Sequence, residues 1–213
     1  MPDKKPSIEE YLLKHSTEEN EVLAQLNRET NLKVLYPRML SGPLLGKFLE
    51  FVSLMIRPDH ILEVGTFTGY SAICLAKGLP EKGRLITIEK NDELSRYHTE
   101  YFERSGFADR ILSLTGNALE IIPSLDHQFD LVFIDADKSE YVNYYQLCLN
   151  KTVPGGFIIA DNVLWDGKVL EGSKYNDKET RGIVEFNEFV ANDTRVENVI
   201  IPFRDGISII RKI

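Results

Sequence analysis

From about residue 61 the chain alternates between two kinds of segment. Short apolar runs rich in Ile, Leu and Val recur at Ile61-Leu-Glu-Val-Gly, Arg84-Leu-Ile-Thr-Ile-Glu, Ile111-Leu-Ser-Leu-Thr, Asp130-Leu-Val-Phe-Ile and Phe157-Ile-Ile-Ala. Their length and branched side chains suit strands buried on both faces. Between them lie helical stretches, expected over residues 70–79, 92–105, 118–122 and 139–149. Strands separated by helices run parallel, with crossover helices on both faces of one sheet, so the class is α/β. The tail breaks the rhythm. After a polar stretch over residues 166–178 and a helix to about residue 191, Val196-Glu-Asn-Val-Ile-Ile and Ile207-Ser-Ile-Ile-Arg flank a Pro-Phe-Arg-Asp-Gly turn, as in an antiparallel hairpin.

The first sixty residues read as helices instead. Ser7 and Glu10 form a capping-box pair, and Ser16-Thr-Glu-Glu opens a second helix to about residue 30. Residues 31–42 are expected to be irregular, and a third helix follows Pro43 and stops before Pro58. With 213 residues and no repeat or linker, one domain is the simplest account: helices over 1–57 covering a core over 58–213. No apolar run reaches membrane-spanning length and the first residues lack the apolar segment of a signal peptide, so a cytoplasmic protein is expected. The two cysteines, Cys74 and Cys148, sit in apolar helical patterns and are expected to be buried free thiols. A net charge of −8 disfavours nonspecific nucleic-acid binding.

Acidic residues fall where the strands stop, and open α/β sheets bind ligands at the carboxyl ends of their strands. Glu63-Val-Gly65-Thr-Phe-Thr-Gly69-Tyr-Ser71 links the first strand to its helix. Its glycines permit a tight turn and close approach to a ligand. The spacing is not Gly-x-Gly-x-x-Gly, and Glu63 would repel a phosphate. Both facts favour a cofactor with a cationic, unphosphorylated part, such as the amino-acid end of S-adenosylmethionine, over a nicotinamide dinucleotide. Glu89, ending the second strand, is in register to accept from two ribose hydroxyls. Asp135 ends the fourth strand, and Asp161 with Asn162 ends the fifth. Together they offer three hard oxygen ligands for magnesium, with calcium or manganese as alternatives. Lys138, three residues past Asp135, is placed to take a proton from a hydroxyl held beside the cation. A bland reading stands beside each: a structural glycine turn, an exposed Asp137-Lys138 turn, an Asx-turn at Asp161-Asn162. Their joint occurrence at neighbouring strand ends outweighs it.

These motifs, with Asp161-Asn-Val-Leu-Trp-Asp-Gly and Asp205-Gly-Ile-Ser-Ile, resemble the cation-dependent class I O-methyltransferases, the caffeoyl-CoA type and, more distantly, catechol O-methyltransferase. The resemblance runs in consistent order from about residue 39 to the end. It implies a Rossmann-like fold with a seven-stranded, mostly parallel sheet whose last strand is antiparallel. It also implies metal ligation by Asp135, Asp161 and Asn162, and Lys138 as the base. Glu63, Gly65 and Ser71 would hold the methionine part of S-adenosylmethionine, Glu89 the ribose and Ala118 the adenine edge, with Asp135 near the cofactor's amino group. Trp165 would lie near the substrate pocket, or else in the core. One departure is plain: where the family carries Glu-Gly-Gln or Gln-Gly-Gln, this chain has Pro43-Leu-Leu-Gly-Lys. The implied reaction is metal-dependent methylation of one hydroxyl of a vicinal dihydroxy aromatic by a homodimer. Two other readings are methylation of a hydroxylated tRNA nucleoside, through a basic patch at Lys4, Lys5, Arg28, Lys33 and Arg38, and a non-catalytic cofactor-binding scaffold.

Overall fold

The computed structural model describes residues 7–174 and 177–213. Three helices come first: α1 (Ile8–Lys14), α2 (Glu21–Lys33) and α3 (Gly42–Ile56). Strands and helices then alternate through β1 (His60–Val64), α4 (Tyr70–Ala76), β2 (Arg84–Glu89), α5 (Ser95–Arg104), β3 (Ile111–Thr115), α6 (Ala118–Ser124), β4 (Phe129–Ile134), α7 (Tyr141–Lys151) and β5 (Thr152–Asp161). Helix α8 (Lys178–Ala191) precedes the hairpin of β6 (Val196–Ile201) and β7 (Ile207–Lys212). One seven-stranded sheet has the order β3-β2-β1-β4-β5-β7-β6. Neighbours from β3 to β5 pair in parallel, while β7 runs antiparallel to both β5 and β6. The expected mostly parallel sheet with an antiparallel last strand is what forms.

The sheet separates two apolar layers, and strand periodicity assigns side chains to them. In β4, Leu131 and Phe133 join the layer of α2 to α5, while Val132 and Ile134 join that of α6 to α8. All four are fully buried, as a strand covered on both faces requires. Connections from β1 progress to one side and those from β4 to the other, so a crevice opens at their carboxyl ends.

Several boundaries move for local reasons. The second helix starts at Glu21, because Asn20 caps it through the Leu23 amide and Glu19 instead accepts from the Tyr70 hydroxyl at 2.5 Å. Within the stretch expected to be irregular, α2 runs on to Lys33 and Pro37–Met39 forms a 3-10 turn. Asn91, not Asp92, provides the cap before α5, on a short 3-10 turn. Strand β5 begins five residues early, with Pro154-Gly155-Gly156 inside it and a register irregularity against β4. Part of the polar 166–178 stretch is a 3-10 segment, Trp165–Lys174, kinked at Asp166 and Gly167; residues 175 and 176 lie outside the described residues. Among the described residues, Pro37–Ile56 is long and apolar enough to cross a membrane, contrary to the expectation that no run would be. Its helix is broken at Leu40, which is extended, so the continuous part is the 15-residue α3. At ~1.5 Å per residue that is shorter than the ~30 Å hydrocarbon layer, and Leu45 and Leu49 are fully buried in the core.

Candidate functional site

Every acid singled out in the sequence arrives at the same end of the sheet. The turn after β1 lies directly against the end of β4: the Asp135 amide donates to the Val64 carbonyl at 2.9 Å. Gly65 has φ of +102°, and a Cβ there would stand 2.0 Å from the Asp135 carbonyl oxygen. Only glycine combines that conformation with that approach.

Glu63 is fully buried in β1. One oxygen, Oε2, accepts from the Thr87 hydroxyl at 2.5 Å, while Oε1 has no hydrogen-bond partner among the described residues. Burial pushes its carboxyl up to about 8, the charges of Asp135 and Glu89 add to this, and hydroxyls of Ser71 and Thr87 oppose it. An unpartnered buried carboxylate oxygen is costly until a donor meets it. An ammonium group is the donor such an oxygen suits, so the residues fit an amino-acid moiety. Ser71 is nearly buried on the first turn of α4, and Ala118 nearly buried at the start of α6. Glu89 accepts from the Phe67 amide at 2.7 Å through Oε2 and from the Asn91 amide at 2.9 Å through Oε1. It therefore anchors the glycine turn from the end of β2, a task its position in the sequence did not disclose.

At the ends of β4 and β5 the acids meet the lysine. Lys138, 7% exposed, donates from Nζ to Asp135 Oδ1 at 2.7 Å and to the Tyr141 hydroxyl at 2.5 Å. Tyr141 in turn donates to the Asp161 carbonyl at 2.9 Å. Tyr141 was missed in the sequence; its signal was its place three residues after Lys138, at the start of a helix. Asp137 caps the 3-10 turn that carries Lys138, through the Ser139 amide at 3.0 Å, and so is a turn residue. Asp161 is 2% exposed. Burial first, then the negative charge of Asp135, raises its carboxyl to about 7, against the pull of Lys138 and Arg204. Asn162 follows with a left-handed φ of 63°.

Among the described residues, no group of three or more His, Cys, Asp or Glu side chains is arranged to hold a metal ion. The set here is two carboxylates and one amide, all oxygen, with one carboxylate destabilised by burial beside the other. A hard cation suits that set and would relieve its repulsion.

Trp165 is half-buried with a left-handed φ of 48°, and its Nε1 is buried without a partner among the described residues. It is thus neither a fully enclosed core residue nor an open one. Leu45, in the segment that departs from the family pattern, is fully buried core. Of the proposed basic patch, Lys4 and Lys5 lie outside the described residues, and Lys33 pairs with Glu29 at 3.0 Å. Both cysteines are buried and free.

Known proteins share this arrangement of chain. A family model described as O-methyltransferase matches residues 13–213. The catechol O-methyltransferase of Niastella koreensis is 37% identical over 169 residues, which cover 78% of this chain and 76% of that protein. The caffeoyl-CoA O-methyltransferase of Eucalyptus gunnii is 32% identical over 219 residues, covering 97% and 88%. Among solved structures, the O-methyltransferase TomG of Streptomyces achromogenes, involved in tomaymycin synthesis and in complex with SAM, has a TM-score of 0.89 at 29% identity, covering 95% of this chain and 94% of that one. An O-methyltransferase of Bacillus cereus in complex with SAH has a TM-score of 0.87 at 30% identity, covering 95% and 96%.

Proposed function

This chain belongs to the O-methyltransferase family, and we propose that it moves the methyl group of S-adenosylmethionine to one hydroxyl of a vicinal dihydroxy aromatic, of catechol or caffeoyl type, with a divalent cation. The observation that carries the reading is Lys138 Nζ, 2.7 Å from Asp135, at strand ends shared with Asp161 and next to the end of β1 that holds Glu63. Glu63 would meet the cofactor's ammonium with its unpartnered oxygen, Gly65 and Ser71 would line the methionine part, Glu89 would accept from the ribose and Ala118 would pack on the adenine edge. Asp135, Asp161 and Asn162 would hold the cation. When bound, such an ion, magnesium first and calcium or manganese as alternatives, orients adjacent hydroxyls and makes them more acidic.

With a cation beside it disfavouring its charged form, Lys138 would act as the neutral amine, accepting the proton from the hydroxyl to be methylated and becoming the ammonium, while Tyr141 and Asp135 fix the position of Nζ. Because the sulfonium is already an activated donor, what the protein adds is orientation and electrostatic complementarity. Trp165 would contribute to the wall on the acceptor side.

Labelled methyl transfer to a simple catechol, to an acyl-CoA catechol and to bulk tRNA tests the reading, each with and without EDTA and with cation added back. Transfer to a catechol that chelation abolishes and a cation restores is the expected result. Transfer that survives full chelation removes the cation; labelled tRNA replaces the acceptor; cofactor binding without transfer to anything leaves a scaffold. Lys138→Ala should lower kcat by about 10²–10⁴, and a fully active variant removes the base.

A further inference from the structure

The turn after β1 holds a residue in a conformation that bulky side chains avoid. Phe67 has φ of 49°, a strained conformation that persists only where the surroundings impose it. Both polar groups of its backbone are gripped by side chains. Its N–H donates to Glu89 Oε2 at 2.7 Å, and its carbonyl lies 2.7 Å from His98 Nε2. A carbonyl only accepts, so Nε2 carries the proton. The other ring nitrogen, Nδ1, is then the acceptor for the Ser113 hydroxyl, 2.9 Å away. The ring is 3% exposed on α5, and burial favours its neutral form. It stacks on Phe102 with centroids 5.6 Å apart, and Phe102 closes on Gly69, where a Cβ would come within 2.7 Å of its ring. The turn is therefore clasped from β3 and α5 on one side and from β2 on the other.

Resting on the reading of this turn as an S-adenosylmethionine site, the geometry points to His98 as a positioning residue for cofactor binding. Ser113 sets its tautomer, its Nε2–H holds the Phe67 carbonyl, and the Phe67 amide is thereby kept on Glu89, orienting the carboxylate that faces the ribose. His98 touches neither the methyl group nor the acceptor, so its effect falls on cofactor affinity and not on the chemical step.

Calorimetric binding of S-adenosylhomocysteine to the whole chain, with steady-state kinetics in both substrates, tests this. In His98→Ala the affinity should fall about tenfold, the scale of one lost hydrogen bond to a strained peptide. KM for S-adenosylmethionine should rise in parallel, while kcat at saturating cofactor and the acceptor KM stay within about twofold. His98→Gln, whose amide reaches for the same carbonyl, should recover most of the affinity, and Ser113→Ala should fall between the two. Unchanged affinity in His98→Ala overturns the proposal, as does a matching loss in kcat and both KM values, the mark of a generally loosened fold. Should His98→Ala not fold, wild-type affinity in Ser113→Ala overturns it instead. A wild-type chain that binds no S-adenosylhomocysteine overturns the cofactor reading and this inference together; a wild type that binds beside an unaffected variant overturns this inference alone.

Discussion

At the scale of single residues, the electrostatic strain of the site is concentrated in Glu63. Burial pushes its carboxyl from the ordinary 4.5 up to about 8. Between those values the folded chain keeps a proton that the unfolded chain has released. The group's contribution to stability is thus full below 4.5 and is lost as pH rises through about 8. An ammonium seated on Oε1 favours the carboxylate, so cofactor binding near neutral pH should expel that proton. Calorimetry of S-adenosylhomocysteine binding in buffers of different ionisation enthalpy checks this: the apparent enthalpy should change with buffer in the wild type and cease to do so in Glu63→Gln. Tyr141→Phe should lower kcat without abolishing it, because Lys138 keeps Asp135 while losing its other partner.

Between elements, two glycines decide how the site is assembled, and the prediction for the first runs against helix propensity. Gly182 lies inside α8, where alanine would ordinarily stabilise by about 1 kcal/mol. A Cβ there would stand 2.3 Å from the Lys138 carbonyl oxygen, a backbone atom that cannot swing aside. Sterics should win: Gly182→Ala is expected to lower the melting temperature and, by pushing α8 off the turn that carries Lys138, to lower kcat as well. Gly65→Ala combines the same kind of clash with positive φ and should be the more damaging. Gly106→Ala is the control, since positive φ is its sole penalty and nothing lies within 4 Å; about 1–2 kcal/mol is expected there. Denaturant unfolding of the three variants ranks them, and a Gly182→Ala protein more stable than wild type would refute the steric account.

For the molecule as a whole, the far side of the sheet is tied by Asp193, which accepts from Tyr145 of α7 at 2.9 Å and from Arg195 at 2.6 Å. Those partners hold its carboxyl well below the usual range. Its stabilisation is present above the ordinary carboxylate range and is lost as pH falls through the depressed value. Asp193→Asn should therefore cost about 1 kcal/mol at neutral pH, because Arg195 is half-exposed and solvent screens its charge, a deficit that shrinks on acidification when unfolding is followed at both conditions. At the N-terminal face α1 packs on α3, buries no residue, and exposes Ile8, Tyr11 and Leu12; for the homodimer that the family resemblance implies, we propose this face as the interface. Tyr11→Glu with Leu12→Glu should yield monomers in sedimentation. A dimer that persists puts the interface elsewhere, and a monomeric wild type removes it.

The parallel sheet, its antiparallel tail and the acids at its strand ends were legible in the residues because each follows from local periodicity and from where an apolar run stops. Asp135, Asp161 and Lys138 could be picked out on that ground before any contact was known. Helix starts were less legible: Ser16-Thr-Glu-Glu reads as a start signal, yet Asn20 provides the cap and Glu19 is taken up by the Tyr70 hydroxyl of another helix. Tyr141, the unpartnered oxygen of Glu63, the second task of Glu89 and the grip of His98 on Phe67 were not legible at all. Each depends on which strands lie side by side, and β1 meets β4 only because the chain reverses its direction of winding there. Periodicity along a chain determines what each segment becomes; contact between segments distant in sequence decides which polar atoms find partners, and therefore which one is left for a ligand.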